Sequence, residues 1–224
     1  MALKKVNVIE ALANVEQPFT LVEVARVGDL VMHAYICEGS VQWHRHIDND
    51  ELFLVRQGWI MLESEWGNVT VKPDEMVIVP KGVGHRSGSQ LRTIVLLVQP
   101  VSMADRKNGH RRLFAVPRDN ELHKFKLMEA AAHADAFCAE PVADIEGLTA
   151  QVVAGEGVSP WYANELSSSL WLVLQGEAQM EVEGEAVDME EGDLVVIGRG
   201  VSHRWSGAKH TTMFLLSRWV ECAR

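Results

Sequence analysis

Cysteine is scarce in this chain, and its placement excludes more than its number does. Cys37, Cys138 and Cys222 lie far apart, form no Cys-x-x-Cys and are odd in count. That argues against a disulfide framework and suits a protein kept in a reducing cytoplasm. Long apolar runs are missing as well. The longest, Thr93 to Val98, has the length of a buried strand, so no membrane partner is expected. The first ten residues, Met1 to Glu10, lack the apolar centre of a signal peptide. Positive charge is in deficit: 21 Lys and Arg stand against 31 Asp and Glu, a net charge of −10. A nucleic-acid partner needs basic residues gathered on one face, so none is expected. The acidic surplus collects between Glu177 and Asp193 and reads as a solvated hairpin surface. Helical patterning is sparse, and nothing resembles a helix-turn-helix. Only Leu122 to Ala136, rich in Ala, Leu, Lys, Met and Glu, suits a short helix.

What the chain does contain is strand patterning. The 224 residues, 47% of them hydrophobic, suffice for one large domain or two small ones. After a weakly patterned start over residues 6–14, short β-rich runs follow one another between Gly, Pro, Asn and Asp turns. They cover Leu21 to Val27, Leu30 to Cys37, Val41 to His46, Glu51 to Arg56, Trp59 to Glu65, Met76 to Val79 and Leu91 to Val98. Such spacing predicts an all-β sandwich or barrel. Pro100 to Asp119 breaks the pattern with a basic stretch from Arg106 to Arg112, read as a solvated connection rather than a phosphate site. The expected division is a first domain over 1–105, a linker over 106–118 and a second domain over 119–224.

The two halves repeat each other. Gly39 and Gly157, Trp43 and Trp161, Gly58 and Gly176, Gly82 and Gly200, and His85 and His203 all stand 118 residues apart. At the same spacing, Leu52-Phe-Leu-Val-Arg-Gln-Gly58 matches Leu170-Trp-Leu-Val-Leu-Gln-Gly176. A constant offset over that distance predicts one fold used twice, without insertions.

The chemistry is concentrated between Gly39 and His85. On a strand His44 and His46 project to one side, and Ile47-Asp-Asn-Asp50 is turn chemistry that lets Glu51 face the same space. His85 follows within Pro80-Lys-Gly-Val-Gly-His85. Three imidazoles and a carboxylate suit a divalent transition metal: Fe, Mn, Ni, Cu or Zn. His44-x-His46-x4-Glu51-x6-Gly58 and Pro80-x-Gly82-x2-His85 resemble the two signature motifs of the cupin superfamily. Asp74 stands where the second motif usually opens on Gly, and Ser89 where it closes on Asn. The resemblance covers nearly the whole chain as a bicupin. It implies two tandem antiparallel β-barrels of the jelly-roll type, with His44, His46, Glu51 and His85 as metal ligands. It also implies a monomer with pseudo-dimeric halves, or a homodimer.

In the second copy His44 becomes Tyr162, His46 becomes Asn164 and Glu51 becomes Ser169; only His203 remains. One metal per chain is therefore expected. Trp171 replaces Phe53 and is expected to narrow the second barrel. That barrel is read as a folding partner, with a metal-free pocket as the competing reading. Alternation places Phe53, Val55 and Gln57 in the first pocket, whereas the face of His33, Tyr35 and Cys37 stays open. A small-molecule ligand is expected. Two functions stay open: a metal-dependent enzyme of oxygenase or isomerase type, and a non-catalytic barrel whose metal only holds a ligand or the fold.

Overall fold

The computed structural model describes residues 3–101 and 121–219. In chain order it contains β1 (Val6–Asn7), α1 (Val8–Ala11), β2 (Val22–Val27), β3 (Leu30–Ser40), β4 (Glu51–Gln57), β5 (Ile60–Ser64), β6 (Gly67–Val71), β7 (Glu75–Val79) and β8 (His85–Pro100). The repeat follows as β9 (Lys124–Lys126), α2 (Leu127–Ala131), β10 (Ala139–Ile145), β11 (Leu148–Val158), β12 (Ser169–Gln175), β13 (Ala178–Val182), β14 (Glu185–Met189), β15 (Asp193–Ile197) and β16 (His203–Ser217). The expected linker over 106–118 lies outside the described residues. Of the helix expected over Leu122 to Ala136, only Leu127–Ala131 is helical.

The protein is all-β, built on two curled antiparallel sheets of the cupin jelly-roll kind. One sheet runs β2-β3-β8-β4-β7-β9, with β5 joining β8 to β6; the other runs β1-β15-β12-β16-β11-β10, with β13 joining β16 to β14. Period-two alternation sends Tyr35, Cys37, Phe53, Val55, Val77 and Leu97 into the first interior. The second interior holds Val153, Trp171, Val173, Met180, Trp205 and Met213. Their apolar surface leaves water on folding, worth roughly 1.5–3 kcal/mol for each large side chain fully buried.

The compact units are not the two halves of the sequence. One comprises Leu12–Glu23 and Asp29–Lys126; the other comprises the described residues of Met1–Ala11, Val24–Gly28 and Leu127–Arg224. Strand β1 pairs with β15 through Val6 opposite Leu194, and β9 pairs with β7 through Phe125 opposite Met76. Each pairing is fastened by the same ion pair. Lys5 Nζ lies 2.8 Å from the buried Asp193, and Lys124 Nζ lies 3.0 Å from Glu75. The two carboxylates are 118 residues apart but the two lysines 119, so the repeat slips by one residue ahead of Phe19. Phe19 and Phe137 restore the register. Both have φ of 62°, and each donates its N–H across 2.8 Å, to the carbonyls of Ile36 and Ala154. A division at residues 105 and 119 thus separates each barrel from one of its strands.

One cysteine departs from the expectation of unpaired thiols: Cys138 is disulfide-bonded. Cys37 is free and buried, and burial pushes its thiol up to about 12, which makes it a poor nucleophile. Among the described residues no helix is long and apolar enough to cross a membrane.

Candidate metal centre

His44 lies in an extended stretch that meets β8 at a single point. Its N–H donates to the carbonyl of His85 at 3.0 Å, and the N–H of His85 donates back at 2.9 Å. This isolated bridge replaces the strand expected over Val41 to His46. Two residues on, the carbonyl of His46 accepts the N–H of Gly82 at 2.6 Å. Gly82 sits at φ of 86°, where a side chain would be strained. The Asp50 carboxylate accepts the N–H of Lys81 at 2.8 Å and ties the intervening turn to the same loop. Glu51 opens β4 opposite Val79, and His85 opens β8. Four side chains from three separate places thereby converge. Their donor atoms lie within 4.8 Å of one another, and among the described residues this is the one such group.

The backbone orients the rings. His44 Nδ1 lies 2.9 Å from the carbonyl of Gln42, and His85 Nδ1 lies 3.1 Å from that of Val83. A carbonyl only accepts, so these nitrogens carry the hydrogen and the Nε2 lone pairs turn inward. There they meet Glu51. Its Oε2 lies 2.9 Å from His85 Nε2 and 3.1 Å from His46 Nε2. A neutral His85 has one ring proton but acceptors at both nitrogens, so either a second proton or a cation must stand between Nε2 and Glu51. A cation shared among Glu51, His46 and His85 meets that need. Ligands about 2.1 Å from a metal lie at most about 4.2 Å apart, so the group needs only a slight contraction to close on one. Burial would raise the Glu51 carboxyl, yet His46 and His85 outweigh burial and hold it at about 2, so it is a carboxylate at neutral pH.

Beside this group lies a cavity of about 100 Å³, whose lining includes Tyr35, His44, Glu51, Phe53, Ser87 and Leu97. Phe53 meets His85 edge to face, with ring centroids 6.0 Å apart. Of the expected pocket residues, Phe53 lines the cavity and Val55 is buried in the apolar core. Gln57 does neither and is exposed. The register of β4 against β8 shifts between Val55 and Gln57, and this bulge ends the inward alternation. Tyr35 and Ser87, whose hydroxyl oxygens are 3.5 Å apart, are hydroxyl-bearing cavity residues that alternation left undecided or unnoticed. Ser87 lies two residues past His85 on one strand, so period two points to it. Arg86 turns away from the site: it pairs with Glu63 and lies 5.7 Å from the centre of the Trp43 ring.

The second barrel keeps the frame without the donors. Tyr162 and His203 form the equivalent bridge, with both hydrogen bonds at 2.9 Å, and Gly200 donates to the carbonyl of Asn164 as Gly82 does to His46. His203 Nδ1 lies 2.8 Å from the carbonyl of Val201. No carboxylate stands at the place of Glu51, where the residue is Ser169.

Known proteins resemble the chain in both halves. Residues 149–218 match the family described as a cupin domain, and residues 3–93 match the N-terminal region of homogentisate 1,2-dioxygenase. Uncharacterized protein YdbB of Bacillus subtilis (strain 168) is 29% identical over 99 residues, covering 43% of this chain and 88% of that protein. A cupin 2 conserved barrel domain protein from Leptotrichia buccalis has a TM-score of 0.72 at 10% identity, with 98% of each chain covered. Salicylate 1,2-dioxygenase from Pseudaminobacter salicylatoxidans has a TM-score of 0.75 at 11% identity, covering 97% of this chain and 84% of that one. At such identity the structural likeness concerns the fold. The two barrels of this chain share the cupin fold, and residues 149–218 match the cupin-domain family itself.

Proposed function

We propose that His44, His46, Glu51 and His85 hold one divalent transition metal, and that the chain is a metal-dependent enzyme acting on a small organic molecule. The observation that carries this reading is the pair of acceptors around His85, Val83 O at 3.1 Å and Glu51 Oε2 at 2.9 Å, which a cation at Nε2 reconciles. When bound, the metal supplies Lewis acidity and, if redox-active, an electron-transfer centre. Glu51 offsets part of the positive charge, and the carbonyls of Gln42 and Val83 keep two rings aimed. Tyr35 and Ser87 place hydroxyls on the cavity wall, where they can hold a substrate oxygen, while Phe53 and Leu97 shield it from water. The match of residues 3–93 to a dioxygenase region supports oxygenase over isomerase chemistry.

The size of the cavity favours a second reading. About 100 Å³ is less than the roughly 150 Å³ that admits benzene, so only a molecule of a few heavy atoms enters it as it stands. On this reading the metal holds the barrel or a small ligand without turnover. Elemental analysis of the purified protein, followed by oxygen uptake with small diols and hydroxy acids, separates the two. The enzyme reading expects Fe, Mn, Ni or Cu, with oxygen consumed on adding one of these substrates. Zinc without turnover supports the second reading, and a metal-free protein that takes up none on reconstitution removes both.

A further inference from the structure

We propose that the second barrel is a metal-free binding site for a small aromatic molecule bearing a hydroxyl group. Its interior holds a cavity of about 350 Å³, against about 100 Å³ in the first barrel. That falls within the range of small-molecule sites, roughly 300–1,000 Å³. The narrowing expected from Trp171 is thus reversed, and the lining shows why. Leu21, Tyr35, Val41 and Glu51 of the first cavity correspond, 118 residues on, to Ala139, Val153, Ser159 and Ser169, which line the second. Four truncations outweigh one enlarged ring. Trp171 is also held along the wall, since its Nε1 donates to Ser169 Oγ at 3.0 Å. Asn164, at the place of His46, serves the loop instead. Its Oδ1 accepts the N–H groups of Leu166 and Ser167 at 2.9 and 3.0 Å, and its Nδ2 donates to the carbonyl of Arg218 at 2.9 Å.

Two buried polar atoms at this site have no partner: Tyr162 Oη and His203 Nε2. Tyr162 lines the cavity, and its ring centre lies 4.3 Å from that of His203 and 5.7 Å from that of Trp171. His203 is 1% exposed, and the contact of its Nδ1 with Val201 leaves Nε2 as an acceptor. Burial keeps the Tyr162 phenol protonated, so Oη is a donor. Buried polar groups left unpaired are costly, and one donor beside one acceptor is complementary to a hydroxyl, which takes a hydrogen bond from Tyr162 and gives one to His203. A metal ion does not fit, because His203, packed against Tyr162, is a single imidazole with no carboxylate or second imidazole beside it. Phe137 and Trp171 in the wall suit the face and edge of an aromatic ring.

The test titrates the full, metal-loaded chain with 2-naphthol, and with naphthalene as the matched probe lacking the hydroxyl, by equilibrium dialysis. One equivalent of naphthol is expected, bound about tenfold more tightly than naphthalene, the worth of about one hydrogen bond. Tyr162→Phe should weaken the binding of naphthol and leave that of naphthalene unchanged. Val153→Tyr, which returns the bulk found in the first barrel, should abolish the binding of both, with circular dichroism confirming the fold. His46→Ala should leave the affinity unchanged, which separates this site from the first barrel. The proposal is overturned by absence of naphthol binding, equal affinity for the two probes, an affinity untouched by Tyr162→Phe, or loss of binding in His46→Ala.

Discussion

His85 and His203 occupy one position in the two barrels and differ in their companions: Glu51 Oε2 stands 2.9 Å from His85 Nε2, and Ser169 occupies the corresponding place beside His203, as Tyr162 and Asn164 occupy those of His44 and His46. Both Nδ1 atoms are held by the carbonyl two residues earlier, so both rings are aimed alike. The difference therefore lies in the other ligands. Metal-replete protein is expected to carry close to one equivalent per chain. His46→Ala should remove most of it with the β fold intact, and His203→Ala should leave it unchanged. Elemental analysis of the three proteins checks this; two equivalents per chain would refute it.

Metal affinity should fall as pH drops through the histidine range. Protons compete for the Nε2 lone pairs that the ion needs, and binding releases them. Glu51, held at about 2, stays ionised across that range and contributes little to the slope. Apparent affinity measured by competition with a chelator should decline steadily from pH 7.5 to 5.5. A flat profile would mean that the imidazoles do not ligate.

Much of this was legible in the sequence because strands alternate with period two and because the ligand spacing is stereotyped. The convergence of His44, His46, Glu51 and His85 follows from both. Gln57 was misplaced since a bulge after Val55 leaves no trace in a hydrophobic pattern. The pairing of β1 with β15 and of β9 with β7 was hidden for a different reason: strands of two and three residues carry almost no pattern, and their partners are decided by tertiary packing. The larger second cavity was misjudged from one substitution, Phe53 to Trp171. The volume of a barrel depends on every inward position, and Leu21, Tyr35 and Val41 all correspond to smaller residues. The paired state of Cys138 could not be read from spacing, because three cysteines leave the partner open.

Asp193 should be a sensitive position although it is far from the metal ligands. Its carboxylate, 1% exposed, takes hydrogen bonds from Asn7 Nδ2 at 2.8 Å and from the N–H of Glu190 at 2.9 Å, and pairs with Lys5. Asp193→Ala leaves those donors without an acceptor and loosens β1. A cost of about 2 kcal/mol is expected, below that of a fully buried pair because Lys5 keeps contact with water. Urea unfolding measures it, and a change under about 0.5 kcal/mol, typical of an unremarkable surface site, would show that β1 is not held by this contact.

His203 predicts a pH dependence of stability. Burial lowers its pKa from 6.5, outweighing the opposite pull of its bond to Val201. The unfolded chain therefore takes up a proton at a higher pH than the folded one. The contribution is complete above 6.5 and is lost as pH falls from there through the folded-state value. Metal-free protein should lose stability between pH 7.5 and 5.5, and His203→Gln should lose less over the same interval. Parallel declines in the two proteins would assign the effect to other groups.

Gly58, which closes the first motif, should tolerate no side chain, for a reason separable from backbone strain. Its φ is 78°, and a Cβ there would lie 2.4 Å from Thr93 Oγ1 and 3.2 Å from Thr93 Cα. Thr93 cannot easily yield. It is fully buried, and its hydroxyl donates to the carbonyl of Trp59 at 3.1 Å and lies 3.0 Å from Ser89 Oγ. The second barrel repeats the arrangement, with Thr211 donating to the carbonyl of Glu177 at 2.8 Å. Gly67 supplies the control: its φ is 104°, but nothing lies within 4 Å of an added Cβ. Gly67→Ala should cost about 1 kcal/mol from strain alone. Gly58→Ala should cost about 3 kcal/mol, since the strain is joined by displacement of Thr93. Unfolding free energies of the two variants check the difference, and metal content should be unchanged in both. Equal costs would show that Thr93 gives way freely and that only the backbone conformation requires glycine.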